Sequence, residues 1–140
     1  MSAYVLNLDI ALRWGSTLRL EIMSSPSDEL TQFVLWAPDY IDDGALSRRM
    51  AVRAVHLENA NKLIQQGILR VAGGVMTAES VNVVPSDKKF VGSCMIYEAE
   101  CLEAVRKLVK DDIYYKTGVW DKEKLTILPI AMATALPPAI

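Results

Sequence analysis

Three side chains on one predicted helix have the spacing needed to handle a small anion and a proton. His56, the only histidine of the chain, follows Arg49 by seven residues and Arg53 by three. Residues three, four and seven apart lie on one helix face, so these side chains form a cationic strip with one imidazole. An imidazole exchanges a proton near neutral pH, and a guanidinium binds a carboxylate or phenolate through its planar fork. The strip therefore indicates proton transfer on a small anionic or phenolic substrate.

Asp112, at the end of a second predicted helix, is the expected partner of the imidazole. A carboxylate on one ring nitrogen fixes the tautomer and raises the basicity of the other nitrogen. We expect His56 and Asp112 to lie about 2.6 to 3.2 Å apart or to share one water, with Arg53 at the same cavity. Ser93 follows Gly92 inside a predicted strand and is expected to line this pocket as well.

Each of these residues also has a purely structural interpretation. In that interpretation His56 is a packed, hydrogen-bonded residue, and Asp112 is a turn residue at the end of a helix. Arg49 and Arg53 then form salt bridges at the surface. Their candidate partners are Glu58, Asp42 and Asp43.

Other motifs give weaker indications. Tyr114, Tyr115 and Trp120 either form an aromatic pocket wall or pack in the core or a dimer interface, and both interpretations stay open. Ser93 lacks the surrounding pattern of a serine nucleophile, and Gly73-Gly74 does not open a helix as a dinucleotide-binding loop does. We expect no metal and no cofactor.

The composition is typical of one small domain. Of the 140 residues, 51% are hydrophobic, and 15 basic against 17 acidic residues give a net charge of −2. This balance argues against binding to nucleic acid or an acidic membrane surface, and no apolar run approaches the roughly 20 residues that span a bilayer. Cys94 and Cys101 are too few for a disulfide framework or a zinc ribbon. We expect a reducing, cytoplasmic setting.

The hydrophobic pattern predicts four strands and two helices. The strands are expected at residues 33–37, 68–72, 90–98 and 124–130, and the helices at residues 45–66 and 100–110. The second strand is expected to end at the Gly73-Gly74 pair, and a hairpin-like loop is expected before the third. The apolar face of the first helix is expected to consist of Leu46, Met50, Leu57, Ala60 and Ile64.

This order of elements predicts an α+β fold. Strand, helix, strand, strand, helix, strand is the ferredoxin-like split βαβ arrangement, a four-stranded antiparallel sheet with both helices on one face. Residues 33–37 and 68–72 are apolar at nearly every position, so the opposite face of the sheet also requires burial. We therefore expect a homodimer through this open sheet face.

The folded domain is expected to span residues 30–131. Residues 1–29, which include the breaker cluster Ser24-Ser25-Pro26-Ser27, are interpreted as an N-terminal extension. Residues 132–140, which contain Pro137-Pro138, are interpreted as a C-terminal tail.

The N-terminal extension leaves a second location open. Arg13 and Arg19 among serines and leucines make a mitochondrial presequence the alternative to the cytoplasm. Asp9 and Glu21 argue against it, because such peptides avoid acidic residues.

Five short motifs occur in a fixed order along the chain. They are the run from Arg49 to Leu57, Gly67 with the strand into Gly73-Gly74, Gly92-Ser93, Glu98-Ala99-Glu100 and Asp112-Ile113-Tyr114. Together they resemble the YCII-related domain family over about residues 31 to 130. Ala54 and Ile113 stand where that family commonly has proline, which changes backbone stiffness more than side-chain chemistry.

The resemblance implies a fold and a site. It implies a dimeric α+β barrel of ferredoxin-like subunits, related in architecture to muconolactone isomerase. It also implies that the pair formed by His56 and Asp112 is the active site.

Two functions are compatible with these observations. The first is a small cofactor-independent enzyme in which His56 and Asp112 carry out isomerisation or elimination on a small organic acid or phenol, with Arg53, Arg49 and Ser93 binding the substrate. The second is a noncatalytic dimeric protein that uses the same cationic pocket to hold a small ligand.

Overall fold

The computed structural model describes residues 29–140. The predicted extension, residues 1–29, lies outside the described residues except for Glu29. Seven elements follow one another along the described chain. They are β1 (Thr31–Pro38), α1 (Ala45–Gln65), β2 (Leu69–Met76), β3 (Phe90–Ala99), α2 (Leu102–Asp111), α3 (Ile113–Lys116) and β4 (Thr126–Pro129).

The strands form one antiparallel sheet in the order β2-β3-β1-β4. This order, with a helix after β1 and another after β3, is that of the ferredoxin-like α+β fold. Successive strand residues point to opposite faces, so Phe33, Leu35 and Ala37 of β1 lie on the side of the helices. They pack there with Ala60 of α1 and Val105 of α2 in one apolar core. The predicted fold is therefore confirmed.

The face of the sheet away from the helices is also apolar, and it is partly exposed. Val34 of β1 is paired with Ile96 of β3 and with Leu128 of β4, so these three side chains share that face. Trp36 is 40% exposed and Leu128 is 56% exposed. We refer to the surface formed by Val34, Trp36, Val71, Ile96 and Leu128 as the outer sheet face.

The second strand is longer than predicted. It does not stop at the two glycines but continues to Met76, with Gly73 paired to Cys94 and Gly74 paired to Ser93. A glycine pair interrupts a strand only when no neighbour stabilises the extended backbone, and here the central strand β3 supplies that partner. The loop to β3 contains two short 3₁₀ turns, Ala78–Asn82 and Pro85–Asp87.

The buried face of α1 differs from the predicted one. Leu46, Met50 and Leu57 are exposed, whereas the buried residues are Ala45, Arg49, His56 and Ala60. The prediction assumed that apolar residues mark the buried side. The prediction was wrong for Leu46, Met50 and Leu57. Arg49 and His56 have hydrogen-bond partners in the core, so these polar residues take the buried face of α1.

The C-terminal tail runs back towards the turn between α1 and β2. Arg70 donates a hydrogen bond to the Pro137 carbonyl oxygen at 2.7 Å, and a Cβ placed on Gly67 would lie 3.8 Å from Ala139 Cβ. The domain boundary after residue 131 stays a prediction. In the described part of the chain, no helix has both the length and the apolar character required to cross a membrane.

Candidate active site

The site is built around a contact between α1 and the junction of α2 with α3. His56 lies on the buried face of α1, and its Nδ1 is 2.9 Å from both carboxylate oxygens of Asp112. Asp112 ends α2 and caps α3, because its Oδ1 accepts the backbone N–H of Tyr114 at 2.8 Å. The contact expected from the sequence is therefore present, although α3 itself was not predicted.

Two aromatic side chains hold the imidazole in place. The ring of Tyr114 stacks on His56 with centroids 3.9 Å apart and an interplanar angle of 11°. Trp120 meets the imidazole edge-on at 5.8 Å, and both aromatic residues are fully buried. Burial raises the pKa of the Tyr114 hydroxyl above its usual value. Of the two predicted interpretations, packing in the core applies to both Tyr114 and Trp120. Tyr114 also lines the cavity described below.

The second nitrogen of the imidazole is open. Within residues 29–140, His56 Nε2 has no hydrogen-bond partner. In the same range, Arg49 Nε is the one side-chain nitrogen that is both buried from solvent and without a hydrogen-bond partner. His56 lines the cavity described below, and its side chain is 8% exposed. When Asp112 accepts a hydrogen bond from Nδ1–H, the neutral ring presents Nε2 as a hydrogen-bond acceptor.

Arg49 is the centre of a second buried polar group. Its Nη1 lies 2.9 and 3.0 Å from the two oxygens of Asp39, and its Nη2 donates to Ser93 Oγ at 3.0 Å. Ser93 Oγ also accepts the indole N–H of Trp120 at 3.1 Å. The guanidinium lies over the Tyr114 ring at 4.7 Å. The hydrogen bonds thus tie α1, β3 and the residues that follow β1 and α3 together.

Asp39 was missed by the sequence reasoning. The surface partners considered for the arginines are not those of Arg49: Asp42 pairs with Arg48, and Glu58 pairs with Lys62. Pro38-Asp39 resembles a turn, and nothing local indicates that the carboxylate points inward. Burial raises the pKa of the Asp39 carboxyl above its usual range, and the Arg49 guanidinium opposes that shift.

Arg53 differs from Arg49 in its surroundings. It is exposed, and within residues 29–140 it forms no hydrogen bond or ion pair. Its Cζ lies 6.0 Å from the centre of the Phe90 ring, the outer limit of a cation–π contact. Arg53 is therefore the exposed guanidinium at this site, and within residues 29–140 none of its donors has a partner.

A cavity of about 190 Å³ lies between α1 and strands β2 and β3. All five residues proposed from the sequence are near it, but Asp112 lies behind His56 and does not line it. The polar and aromatic residues of its wall are Arg49, Arg53, His56, Asn61, Phe90, Ser93 and Tyr114. In the described range no cluster of three or more histidine, cysteine or acidic residues could hold a metal ion.

The comparisons with known proteins bear on the same segment. Residues 31–129 match the YCII-related domain. The chain is a member of this family. The match covers every strand and helix described above, so the YCII-related domain contains both the His56–Asp112 pair and the cavity.

Several relatives of this YCII-related chain are named. It is 30% identical over 104 residues to "Fusaric acid biosynthesis protein 2" of Gibberella fujikuroi, covering 72% of this chain and 93% of the relative. It is also 30% identical over 107 residues to "Aspartate kinase FUB3" of Fusarium oxysporum f. sp. lycopersici, covering 75% of this chain. The chain spans only 19% of that kinase's length.

A solved structure has the same fold. It is the 5-chloro-2-hydroxyhydroquinone dehydrochlorinase TftG of Burkholderia phenoliruptrix AC1100, in complex with 2,5-dihydroxybenzoquinone. The TM-score is 0.57 at 26% sequence identity, and the match covers 69% of this chain and 90% of TftG. The fold of this YCII-related chain is therefore shared with an enzyme.

Proposed function

We propose that this chain is a small cofactor-independent enzyme that transfers a proton on a small phenol or organic acid. His56 is the general acid–base, and Asp112 orients it. The observation that carries the proposal is the contact of Asp112 with Nδ1 of a histidine that lines the cavity, whose Nε2 has no hydrogen-bond partner within residues 29–140.

The proposed chemistry is an elimination or an isomerisation. In the elimination, His56 Nε2 takes the proton of a phenolic hydroxyl and the imidazolium returns it to the ring carbon that carries the leaving group, which gives a keto tautomer. The imidazole then takes the proton of a second hydroxyl, and the electron pair of that oxygen forms a carbonyl and expels chloride from the sp³ carbon, so that a quinone and hydrogen chloride are the products. In an isomerisation, the pair instead shifts a double bond, and the imidazolium returns the proton to a different atom. Asp112 stabilises the positive charge on the imidazolium in both cases.

The arginines and Ser93 are given different tasks. Arg53 has free donors at the cavity and is proposed to bind the acidic oxygen of the substrate. Arg49 and Ser93 line the same cavity, but their hydrogen bonds to Asp39, to Trp120 and to each other occupy most of their donors. They are proposed to contact the substrate mainly as a shaped, polar wall.

The named relatives support this class of reaction. TftG is called a dehydrochlorinase, and its complex contains 2,5-dihydroxybenzoquinone, a single hydroxylated ring. An elimination of hydrogen chloride needs a base and a leaving group, which agrees with the chemistry available to His56.

We also propose a homodimer, located in the cytoplasm. The outer sheet face carries Trp36 and Leu128 in partly exposed positions, and a second copy of the sheet would cover them. Cys94 and Cys101 are free thiols, which is compatible with a reducing compartment.

Turnover and binding should be measured separately. Chloride release from 5-chloro-2-hydroxyhydroquinone and from related chlorinated phenols measures turnover, and calorimetric titration with 2,5-dihydroxybenzoquinone measures binding. His56→Ala should abolish turnover and keep the fold. Asp111→Asn is a matched control for Asp112→Asn, because Asp111 is the exposed neighbour of Asp112.

The outcomes separate the two functions. Turnover that persists in His56→Ala contradicts the proposed role of the imidazole. Binding of the quinone without turnover of any compound in the wild-type chain favours the noncatalytic ligand-binding protein.

A further inference from the structure

The floor of the cavity depends on a glycine. A Cβ atom placed on Gly74 would lie 2.7 Å from both Cδ1 and Cε1 of Phe90, and 3.4 Å from Arg49 Nη2. Contacts of 2.7 Å to ring carbons do not occur without displacement, so any side chain at position 74 must push the Phe90 ring away. Gly74 thus provides the bare backbone on which Phe90 rests.

The adjacent glycine has no such neighbour. A Cβ on Gly73 would meet no atom within 4 Å. Gly73 is paired with Cys94, whose side chain is on the outer sheet face, whereas Gly74 is paired with Ser93, which faces the cavity. Both glycines border the cavity with their backbone, but only a side chain at position 74 would meet Phe90, so the two form a matched pair in one strand.

Phe90 is fixed between the two arginines of the site. The Arg49 guanidinium lies 5.2 Å from the centre of the Phe90 ring, and that of Arg53 lies 6.0 Å from it. Arg49 is itself held by Asp39 and Ser93, so the ring is supported by a buried and well-anchored cation. Phe90 consequently forms a flat, apolar part of the wall next to the free donors of Arg53.

The cavity volume limits the size of the ligand. An engineered apolar cavity of about 150 Å³ in another protein holds one benzene molecule. A cavity of about 190 Å³ therefore has room for one six-membered ring with a few small substituents. Phe90 forms part of the wall that borders this space.

The charges of the site favour an anion. Arg49 is paired with Asp39, and His56 is paired with Asp112. Arg53 has no ionic partner within residues 29–140, so its charge is the uncompensated one at the cavity. An acidic hydroxyl or carboxyl on the ligand would complete this site.

We propose that Phe90, seated on Gly74, is the specificity-determining residue of the cavity and restricts it to anionic ligands of a single ring. This inference rests on the proposed function for the use of the cavity, and it adds the substrate class and the residues that set it. The His56–Asp112 pair acts on the ligand, whereas Phe90 and Gly74 decide which ligands reach the imidazole.

The test compares two ligands that share an acidic group. These are 2-hydroxy-1,4-benzoquinone, with one ring, and 2-hydroxy-1,4-naphthoquinone, with two fused rings. Calorimetric titration should show at least tenfold tighter binding of the single-ring compound to the wild-type chain. Phe90→Ala should shift the ratio of the two affinities at least tenfold towards the naphthoquinone.

The glycine variants test the same wall from the other side. Gly74→Ala should weaken binding of the benzoquinone at least tenfold, and Gly73→Ala should leave it within about twofold of the wild type. Thermal unfolding of all variants identifies any that fail to fold, and Phe90→Leu then replaces Phe90→Ala as the milder change.

Several results would overturn the inference. They are equal affinity of the wild type for both ligands, binding of neither, an unchanged ratio in the Phe90 variants, or equal behaviour of the two glycine variants. The proposed function fails in a different way. If the predicted affinity ratios are observed but no compound is turned over, the inference on specificity stands and the catalytic proposal does not.

Discussion

Asp112 contacts His56 with both carboxylate oxygens, each 2.9 Å from Nδ1, while one of them also accepts the backbone N–H of Tyr114 in the first turn of α3. The same carboxylate therefore orients the imidazole and begins a helix. Because the helix fixes the carboxylate, and Tyr114 of that helix stacks on the imidazole, the orientation of His56 depends on the start of α3.

The two tasks of Asp112 can be separated by substitution. Asp112→Asn keeps an oxygen for the helix cap but removes the charge that stabilises the imidazolium, so turnover should fall about 100-fold while stability changes little. Asp112→Ala should lower turnover as much and also cost about 1 kcal/mol of stability through the lost cap. Steady-state kinetics and urea unfolding of both variants, with Asp111→Asn as control, measure the two effects. Equal stability of the asparagine and alanine variants would argue against the capping role.

The buried ion pair of Arg49 should be important for stability. Arg49 and Asp39 have side chains only 5% and 4% exposed, so Arg49→Met leaves a buried carboxylate without its cation. The loss should be about 3 to 5 kcal/mol in the free energy of unfolding. The neighbouring variant Arg48→Met breaks an exposed pair with Asp42 and should change stability far less. If urea unfolding gives similar losses for both variants, the buried pair does not have this role.

The exposed ion pair of Arg48 with Asp42 should make the stability of the fold depend on pH in the acid range. The hydrogen bonds from Arg48 lower the pKa of the Asp42 carboxyl from its usual 3.8 to about 2. A carboxyl with a lowered pKa in the fold contributes stability above its unfolded pKa, and that contribution is lost as the pH falls through the folded pKa. The difference in stability between wild type and Asp42→Asn should therefore shrink between about pH 4 and pH 2. Unfolding curves over this range measure it, and Asp43→Asn should follow the wild type.

The outer sheet face should control the oligomeric state. We expect the wild type to sediment as a dimer at micromolar concentration and Trp36→Glu to sediment as a monomer, because a charge at the centre of this face opposes its burial. Ile41→Glu is the control, since Ile41 is exposed in the loop before α1 and away from the sheet. A monomeric wild type would exclude the proposed homodimer.

Much of the fold follows from local patterns in the sequence. The run Phe33–Ala37 and the proline-free stretch after residue 45 identify β1 and α1 closely, because burial and helix periodicity act over a few residues. The extension of β2 past Gly74 does not follow from local pattern, since it depends on pairing with β3. The short helix α3 is missed for a similar reason, because it is stabilised by its cap and by the packing of Tyr114.

The candidate site was only partly predictable. The spacing of Arg49, Arg53 and His56 identifies one helix face. The place of Asp112 at the end of the second predicted helix makes it the expected partner of His56, and the resemblance to the YCII-related family implies the same pair. The partners of Arg49 come from distant parts of the chain, so no spacing rule identifies Asp39. Phe90 was not considered either, although Gly74, which its ring approaches, is a signal that a bulky group lies close to the strand.

The protonation of the imidazole tests the central claim most directly. The chain has a single histidine, so an untagged protein labelled with ¹⁵N-histidine gives the nitrogen resonances of His56 alone. At a pH where the ring is neutral, we expect a proton on Nδ1, held by Asp112, and an unprotonated Nε2 whose resonance shifts when 2,5-dihydroxybenzoquinone is added. A proton on Nε2 in the free protein, or an Nε2 resonance that does not respond to saturating quinone, would contradict the proposed role of His56.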